Sequence, residues 1–358
     1  MDLPLELQTE TMVEAMRKFE RPRLGALAPY FPFEPSPGPG DTVTYDVQEY
    51  QNYVLVPTDR SAGAEPGEGP LRTKVSVAGL AFKHAVPLNS AAIADERAVG
   101  SMTQTDRQAY VADRLVQLRN RFLETWDFYR AQWLTAGGLT TSANVVPGAS
   151  DGNIYIRAKG MAKTTALAVD LGFLATHVLG SVAASWATNT TDIIADLDTA
   201  RELCVTDGGA DANLVLLNHH TMQYLWDNNL VMASEWAKAE LARTGQLTDF
   251  RGYNFQVIND SVTVTADRFN IGANARQKLI PNNCVVLMPT SNADGGRAYY
   301  ECECVDPRAS LLKGLGVYTD VEPKTPQNAE LSAEHTGAPV IKNTDSMVVF
   351  KDVTDTTP

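Results

Sequence analysis

The sequence predicts a mixed α+β fold spread over several lobes, and three observations predict it. The stretch from Asp106 to Ala136 has no glycine or proline and repeats apolar residues at three- and four-residue steps, the spacing of one helix face. Two β-rich runs, Val43 to Val56 and Lys74 to Pro87, flank a segment dense in glycine and proline, the pattern of a long hairpin. Over Thr190 to Glu303 helical and strand-like patterns alternate, as in a compact α/β lobe. A chain of 358 residues has room for two or three lobes at roughly 100–200 residues each.

In chain order, Glu10 to Phe19 is a short amphipathic stretch with Met12, Val13, Met16 and Phe19 at helical spacing. Six prolines from Pro22 to Pro39 then force extended chain. Such an arm buries Leu24, Leu27, Tyr30, Phe31 and Phe33 only by lying across another surface, which in an assembly makes it a strap over a neighbour. Next comes the hairpin from Thr42, with a turn-rich tip at Thr58 to Pro70. Two-stranded ribbons are marginal in water, so the hairpin should gain order by packing elsewhere.

The long helix, with Thr103 or Thr105 as N-cap, turns Ala112, Leu115, Leu118, Phe122, Trp126, Tyr129 and Trp133 inward and stops at Gly137-Gly138. At ~1.5 Å per residue it is a rod of roughly 45–50 Å, long enough to be a structural spine. Its other face carries Arg107, Asp113, Arg114, Arg121, Glu124, Asp127 and Arg130, a solvated stripe with Arg121–Glu124 and Asp127–Arg130 at helical spacing.

Beyond it, Asn153 to Arg157 and Thr165 to Gly172 read as strands, and Thr191 or Asp192 can cap a helix from Ile193 to Leu203. Ala212 to Asn218 reads as a buried strand feeding a helix from His220 to about Leu230, with another helix from Met232 to Arg243. Phe250 to Ile258 with Val262 to Val264 reads as a hairpin, and Cys284 to Met288 and Tyr299 to Val305 as further strands. The last residues run through Leu315 to Val321 and a strand at Asp345 to Lys351, which must pair with something already built and suggests a return to the lobe of the long helix.

The net charge of −13 and pI of about 4.9 repel polyphosphate and leave no basic footprint for a sequence-specific nucleic-acid reader. The start contains acids and no unbroken apolar core, so it is read as neither a secretory signal nor a transit peptide. The most apolar stretch, Ala166 to Ala187, is interrupted by Asp170 and His177 and falls short of a membrane span.

Chemistry-bearing residues are few. His219-His220 follows a buried strand, where α/β enzymes place functional groups, but adjacent side chains diverge, favouring a capping or loop role over metal binding. Cys302 and Cys304 share one face of a strand without further ligands, favouring buried thiols over zinc. Cys204 and Cys284 fit no metal spacing, and reduced thiols are expected. Asp192, Asp196 and Asp198 are better explained as helix N-terminal charges than as a metal cluster. Gly208-Gly209, Gly295-Gly296 and Gly314-x-Gly316 match neither the P-loop nor the dinucleotide fingerprint, and no G-x-S-x-G or H-E-x-x-H occurs. The expectation is no catalytic residue, no metal site and no cofactor.

The order of these pieces resembles the Hong Kong 97-type phage coat fold, and the residues are similar to its lambda-type family, major capsid protein E. The residues that carry the resemblance are Asp95-Glu96-Arg97 before the long helix and Trp133-Leu134-Thr135-Ala136-Gly137-Gly138 after it, then Ala168-Val169-Asp170-Leu171-Gly172, with Leu171 where the family has Phe. Trp186 with Thr191-Asp192-Ile193-Ile194 follows, and then Leu214-Val215-Leu216-Leu217-Asn218 with Tyr224-Leu225-Trp226, and Asn283-Cys284-Val285-Val286-Leu287. The resemblance runs from about Phe19 to Lys351.

It implies an extended N-terminal arm (1–41), an E-loop hairpin (42–99), a peripheral domain (100–189) with its spine helix (106–136), an axial domain (190–305) and a C-terminal return (306–358). It implies a major capsid protein that assembles in the host cytoplasm into hexamers and pentamers of an icosahedral tailed-phage head, and so resides in the virion. Implied partners are other copies of the chain, a portal, a scaffold, a maturation protease, a decoration protein and packaged double-stranded DNA touched without sequence specificity, with no membrane. Two alternatives stay open: the shell of an encapsulin-like bacterial nanocompartment, and a metal-dependent α/β enzyme built on His219 or Cys302.

Overall fold

The structure, a computed structural model, describes residues 25–36, 42–48, 72–89, 107–136, 153–156, 167–264, 275–291, 296–302, 318–325 and 328–356. Strands β1 (Phe33–Pro35), β2 (Thr42–Gln48), β3 (Arg72–Ala78) and β4 (Leu80–Asn89) precede helix α1 (Arg107–Leu134), and β5 (Asn153–Ile156), β6 (Leu167–Asp170) and β7 (Val178–Leu179) follow it. Then come α2 (Ile193–Gly208), β8 (Leu214–Leu217), α3 (His219–Asp227), α4 (Asn229–Met232) and α5 (Glu235–Thr244). They are followed by β9 (Asp249–Phe250), β10 (Tyr253–Val257), β11 (Ser261–Val264), β12 (Ala275–Lys278), β13 (Val285–Met288) and β14 (Arg297–Glu301). The last are β15 (Tyr318–Thr325), β16 (Asn328–Ile341) and β17 (Val348–Phe350).

The chain divides into two units: Met1–Thr44, Ser76–Arg130 and Ala298–Val340 in the first, Tyr45–Val75, Ala131–Arg297 and Ile341–Pro358 in the second. The first is built on a sheet of order β1-β14-β16-β15, with β4 on the opposite edge of β16. Strand β16 is 14 residues long and pairs with three strands, β14, β15 and β4. It pairs antiparallel with β4 from Asn328↔Asn89 to Gly337↔Leu80, and with β15 from Asn328↔Thr325 to Glu334↔Tyr318. At Gly337 an added Cβ would come within 2.5 Å of the Tyr300 carbonyl oxygen, so the close approach to β14 requires glycine.

Helix α1 is 28 residues long, close to the predicted span, and buries Leu118, Phe122 and Trp126 as its three- and four-residue spacing requires. Trp126 meets Phe33 of β1 edge-on at 5.1 Å and His335 of β16 at 4.8 Å. The described part of the proline-rich arm, residues 25–36, is therefore folded onto its own unit: Leu27 and Phe31 are solvent-free, and β1 pairs parallel with β14 from Phe33↔Tyr299 to Pro35↔Glu301. This corrects the expectation of a strap over a neighbour for residues 25–36.

The second unit holds a six-stranded sheet of order β7-β17-β13-β8-β10-β9. Every residue of β8 and β13 is buried, which explains their unbroken Leu-Val-Leu-Leu and Val-Val-Leu-Met runs: both faces are covered, so no polar alternation survives. Helix α2 is capped by Asp192, whose side chain accepts from the Ala195 amide, and by Gly209 in the left-handed region at φ 63°. The predicted helix from His220 to Leu230 is broken in two by Asn228, whose side-chain oxygen caps α4 through the Leu230 and Val231 amides while its Nδ2 donates to the Thr191 carbonyl.

Three pairings differ from expectation. Within Phe250 to Ile258 the chain already turns, through Arg251 and Gly252 with φ of 51° and 83°, a pair of positive values that makes β9–β10 its own tight hairpin. Val262 to Val264 therefore pairs with β12 as a separate two-stranded ribbon. The strand around Tyr299 lies in the sheet of the first unit, not beside β13. Among the C-terminal strands, β15 and β16 lie in the first unit's sheet, whereas β17 is inserted between β7 and β13. Strands β5–β6 and β2–β3 form two further ribbons; the hairpin tip at 58–70 lies outside the described residues.

Candidate functional site

The sequence candidates for chemistry are dispersed into structural roles. His219 is exposed at the start of α3, where its backbone N–H donates to Asn259 Oδ1; half-buried His220 lies edge-on to Tyr224 with ring centroids 5.5 Å apart. Cys302 is buried, and Cys304 lies outside the described residues. Cys204 and Cys284 are buried as well, and burial pushes both thiols up to about 12. Such thiols are protonated and inert at neutral pH.

The three aspartates of α2 point to three different partners. Asp192 is the N-cap, Asp196 accepts from the Trp186 indole N–H at 2.8 Å, and Asp198 accepts from the Tyr253 hydroxyl at 2.6 Å. Burial, with Asp192 adding to it, holds the Asp196 carboxyl above the usual carboxylate range although the indole bond opposes this. On the next turn Arg201 grips Asp211 with two hydrogen bonds, which holds the Asp211 carboxyl below its ordinary range. Among the described residues no group of three or more His, Cys, Asp or Glu side chains could hold a metal ion. No helix among them is long and apolar enough to cross a membrane.

What the polar groups do build is internal bracing. At the end of β8, solvent-free Asn218 accepts from the Thr221 amide (2.9 Å) and hydroxyl (3.1 Å), and its Nδ2 donates to the Ile280 carbonyl (3.1 Å) and Asn282 Oδ1 (3.0 Å). The Asn283 amide donates to the Thr221 hydroxyl, and its side chain accepts from Tyr224 and donates to Thr354. One network thus ties the central strand, helix α3, the lead-in to β13 and the C-terminal segment together. His177, also solvent-free, bridges the Met347 carbonyl (2.8 Å) and Asp207 (3.0 Å), joining the turn before β7 to the residue before β17 and to α2.

Sequence reasoning put Asp127 and Arg130 on a solvated stripe, but both are buried. The Arg130 guanidinium donates to Asp127 Oδ1 at 3.2 Å and lies over the rings of Phe33 (4.9 Å) and Tyr299 (5.2 Å), which cover that side of α1. Burial lowers the pKa of Arg130, opposed by Asp127. Arg121, expected beside Glu124, meets His84 of β4. Helical spacing cannot reveal which of two faces a sheet will cover.

Several apolar residues of the parts expected to need neighbours are buried within the chain: Leu27 and Phe31 of the arm, Val43 and Tyr45 of the hairpin, Leu118 and Phe122 of the spine. Large exposed apolar side chains lie at Trp226, Leu230 and Trp236 on α3–α5, with Val116 of the spine helix, Leu174 and Val205 scattered singly. Sequence reading missed this set, since Trp226 fits the helical pattern of a core residue; its signal is two tryptophans amid charged positions on short helices.

Comparison with known proteins places this arrangement. The pattern of the family phage major capsid protein E matches residues 8–348. No curated protein matches the chain. Among solved structures, a prophage protein of Escherichia coli CFT073 described as a capsid protein is 14% identical, covers 79% of this chain and of its own, and superimposes with a TM-score of 0.52. A phage-related protein of Bordetella bronchiseptica RB50 is 10% identical over 96% of each chain, with a TM-score of 0.50. At these identities the likeness is one of fold.

Proposed function

Since this chain belongs to the phage major capsid protein E family and is a bacteriophage major coat protein, we propose that its copies close into hexamers and pentamers of an icosahedral head around double-stranded DNA. The match over residues 8–348 carries this reading. The fold is the α+β, Hong Kong 97-like coat fold, and the family places the protein in the virion. In this reading the peripheral domain spans 100–189 with its spine helix at 106–136, the axial domain spans 190–305, and the chain returns to the peripheral domain over 306–358. The arm lies at 1–41 and the E-loop at 42–99.

The role is one of construction. Asp192 and Asn218 cap helices, Asp196, Asp198 and His177 brace the second unit, and the exposed aromatic surface is of the kind that meets protein. A net charge of −13 suits a wall that must not grip packaged DNA, because phosphates are repelled by it. The portal, a scaffold, a maturation protease and a decoration protein are the further partners of this reading, with assembly in the host cytoplasm. Negative-stain microscopy and light scattering of the expressed chain test it. Closed particles or hexameric and pentameric capsomers are expected, and a compact monomer at high concentration overturns the reading.

A further inference from the structure

The solvent-free ring of His177 faces an acceptor on each of its two nitrogens. Nδ1 lies 2.8 Å from the Met347 carbonyl oxygen, and Nε2 lies 3.0 Å from Oδ2 of the Asp207 carboxylate. A neutral imidazole has a single N–H, so it satisfies one of these contacts and turns a lone pair toward the other oxygen. An imidazolium donates to both. Because the ring is closed to solvent, water does not replace a missing donor there, and the count of donors against acceptors calls for a proton on each nitrogen.

The surrounding groups favour that charge. Asp207 stands in the last turn of α2, where the partial negative charge of the helix end also attracts a cation, and among the described residues His177 is its only ion-pair partner. The Cys204 thiol of α2, kept protonated by burial, feels Asp207, Asp211 beyond the helix and Asp345 in the turn before Met347, so three carboxylates gather at this end of α2. Asp211 is taken up by Arg201. On the chain leading to His177, Asp170 accepts from the Gly172 amide, and beyond β17 the charge of Lys351 acts at Cys284. The bridge stands where the short parallel pairing of β7 with β17 begins, Val349↔Val178 and Phe350↔Leu179, and ties the start of both strands to α2.

We propose that His177 is a pH-operated clasp: protonated on both nitrogens it holds the starts of β7 and β17 to the end of α2, and on losing one proton it releases one of its two partners. The folded chain then keeps a proton that a histidine in unfolded chain, with its ordinary value of about 6.5, gives up. The clasp therefore stabilises in full below that pH and is lost as pH rises through the point where the folded ring deprotonates. Two measurements on the full chain test it. In the first, urea unfolding is followed by circular dichroism at pH 6.5 and 8.5 for wild type, Asp207→Asn and Glu202→Gln, an exposed acid on the same helix. Asparagine donates its amide N–H to a neutral Nε2 while Nδ1–H keeps the Met347 carbonyl, so both contacts survive without the extra proton. One linked proton changes the folding constant by up to about tenfold per pH unit, so wild type and Glu202→Gln should lose at least about fivefold more of theirs than Asp207→Asn between the two pH values. In the second, solid-state NMR of wild type labelled with carbon-13 histidine, as particles or as free subunits, should show one of the five rings as an imidazolium at pH 8. That readout stands even if the Asp207 variant fails to fold. Five neutral rings at pH 8, or a folded Asp207→Asn with the full pH dependence of wild type, overturns the clasp.

Discussion

Replacing Asn218 with alanine removes four hydrogen bonds from a site with no access to water, and the structure allows the cost to be divided. Its side-chain oxygen caps α3 through the Thr221 amide, a contribution of about 1 kcal/mol. Its Nδ2 satisfies the carbonyl of buried Ile280, and leaving such an acceptor unpaired costs about 1–3 kcal/mol. Asn218→Ala should therefore destabilise the second unit by about 2–4 kcal/mol, lowering Tm by roughly 5–15 °C at about 2–4 °C per kcal/mol for a unit of this size. Asn218→Ser should recover only the cap, about 1 kcal/mol, because serine cannot reach both acceptors. Asn218→Asp keeps the cap but turns a carboxylate oxygen toward the Ile280 carbonyl and Asn282 Oδ1, so it should be no better than alanine at pH 7. Urea titrations followed by circular dichroism give the midpoints. An alanine variant within about 0.5 kcal/mol of wild type, or full rescue by serine, would refute the reasoning, since a solvated or redundant Asn218 predicts both.

Three further outcomes follow from the packing. Gly208→Ala should cost about 2 kcal/mol or more in a thermal melt, since its Cβ would sit 2.5 Å from the Asp345 carbonyl group, whereas Gly172→Ala, at φ +72° with nothing within 4 Å, should cost only the backbone strain of about 1–2 kcal/mol. Cys204 and Cys284, raised to about 12, should resist iodoacetamide at pH 8 in the folded chain and react after unfolding, as peptide mass spectrometry would show; rapid labelling of either in the folded state would contradict their burial. For Asp196 the sign runs opposite to the usual carboxylate: its folded pKa is raised, so the folded chain binds the proton more tightly and its burial costs stability once pH rises above the unfolded value of about 3.9. Asp196→Asn, which can still accept from Trp186, should be neutral or stabilising at pH 7 by up to about 1 kcal/mol, with the difference vanishing below about pH 3.5; a clear loss at pH 7 would show that the charge is needed.

Local pattern was enough to determine the long helix, because its apolar spacing and lack of glycine and proline admit no other regular structure. It was also enough for the runs Leu214 to Leu217 and Val285 to Met288, whose unbroken apolar character marks strands covered on both faces, whereas it left the cap of α2 open between Thr191 and Asp192 and the structure decided for Asp192. The order of elements that led to the coat family was likewise legible. Which sheet a strand joins was not: the strand at Arg297 to Glu301 and the final strand at Val348 to Phe350 each look the same in either partner's company.

The tertiary structure decided three matters that bear on function. It laid residues 25–36 of the proline arm on their own unit, because Phe33 finds Trp126 and Tyr299 there. It drew Arg130 out of a supposed solvent stripe by covering it with those same rings. It left Trp226 and Trp236 facing water, although Trp226 fits the helical spacing of a core residue. Periodicity is a property of neighbours in sequence, and it records that a residue has a preferred side. What covers that side depends on contacts between residues tens to hundreds of positions apart, and only the folded chain brings those together.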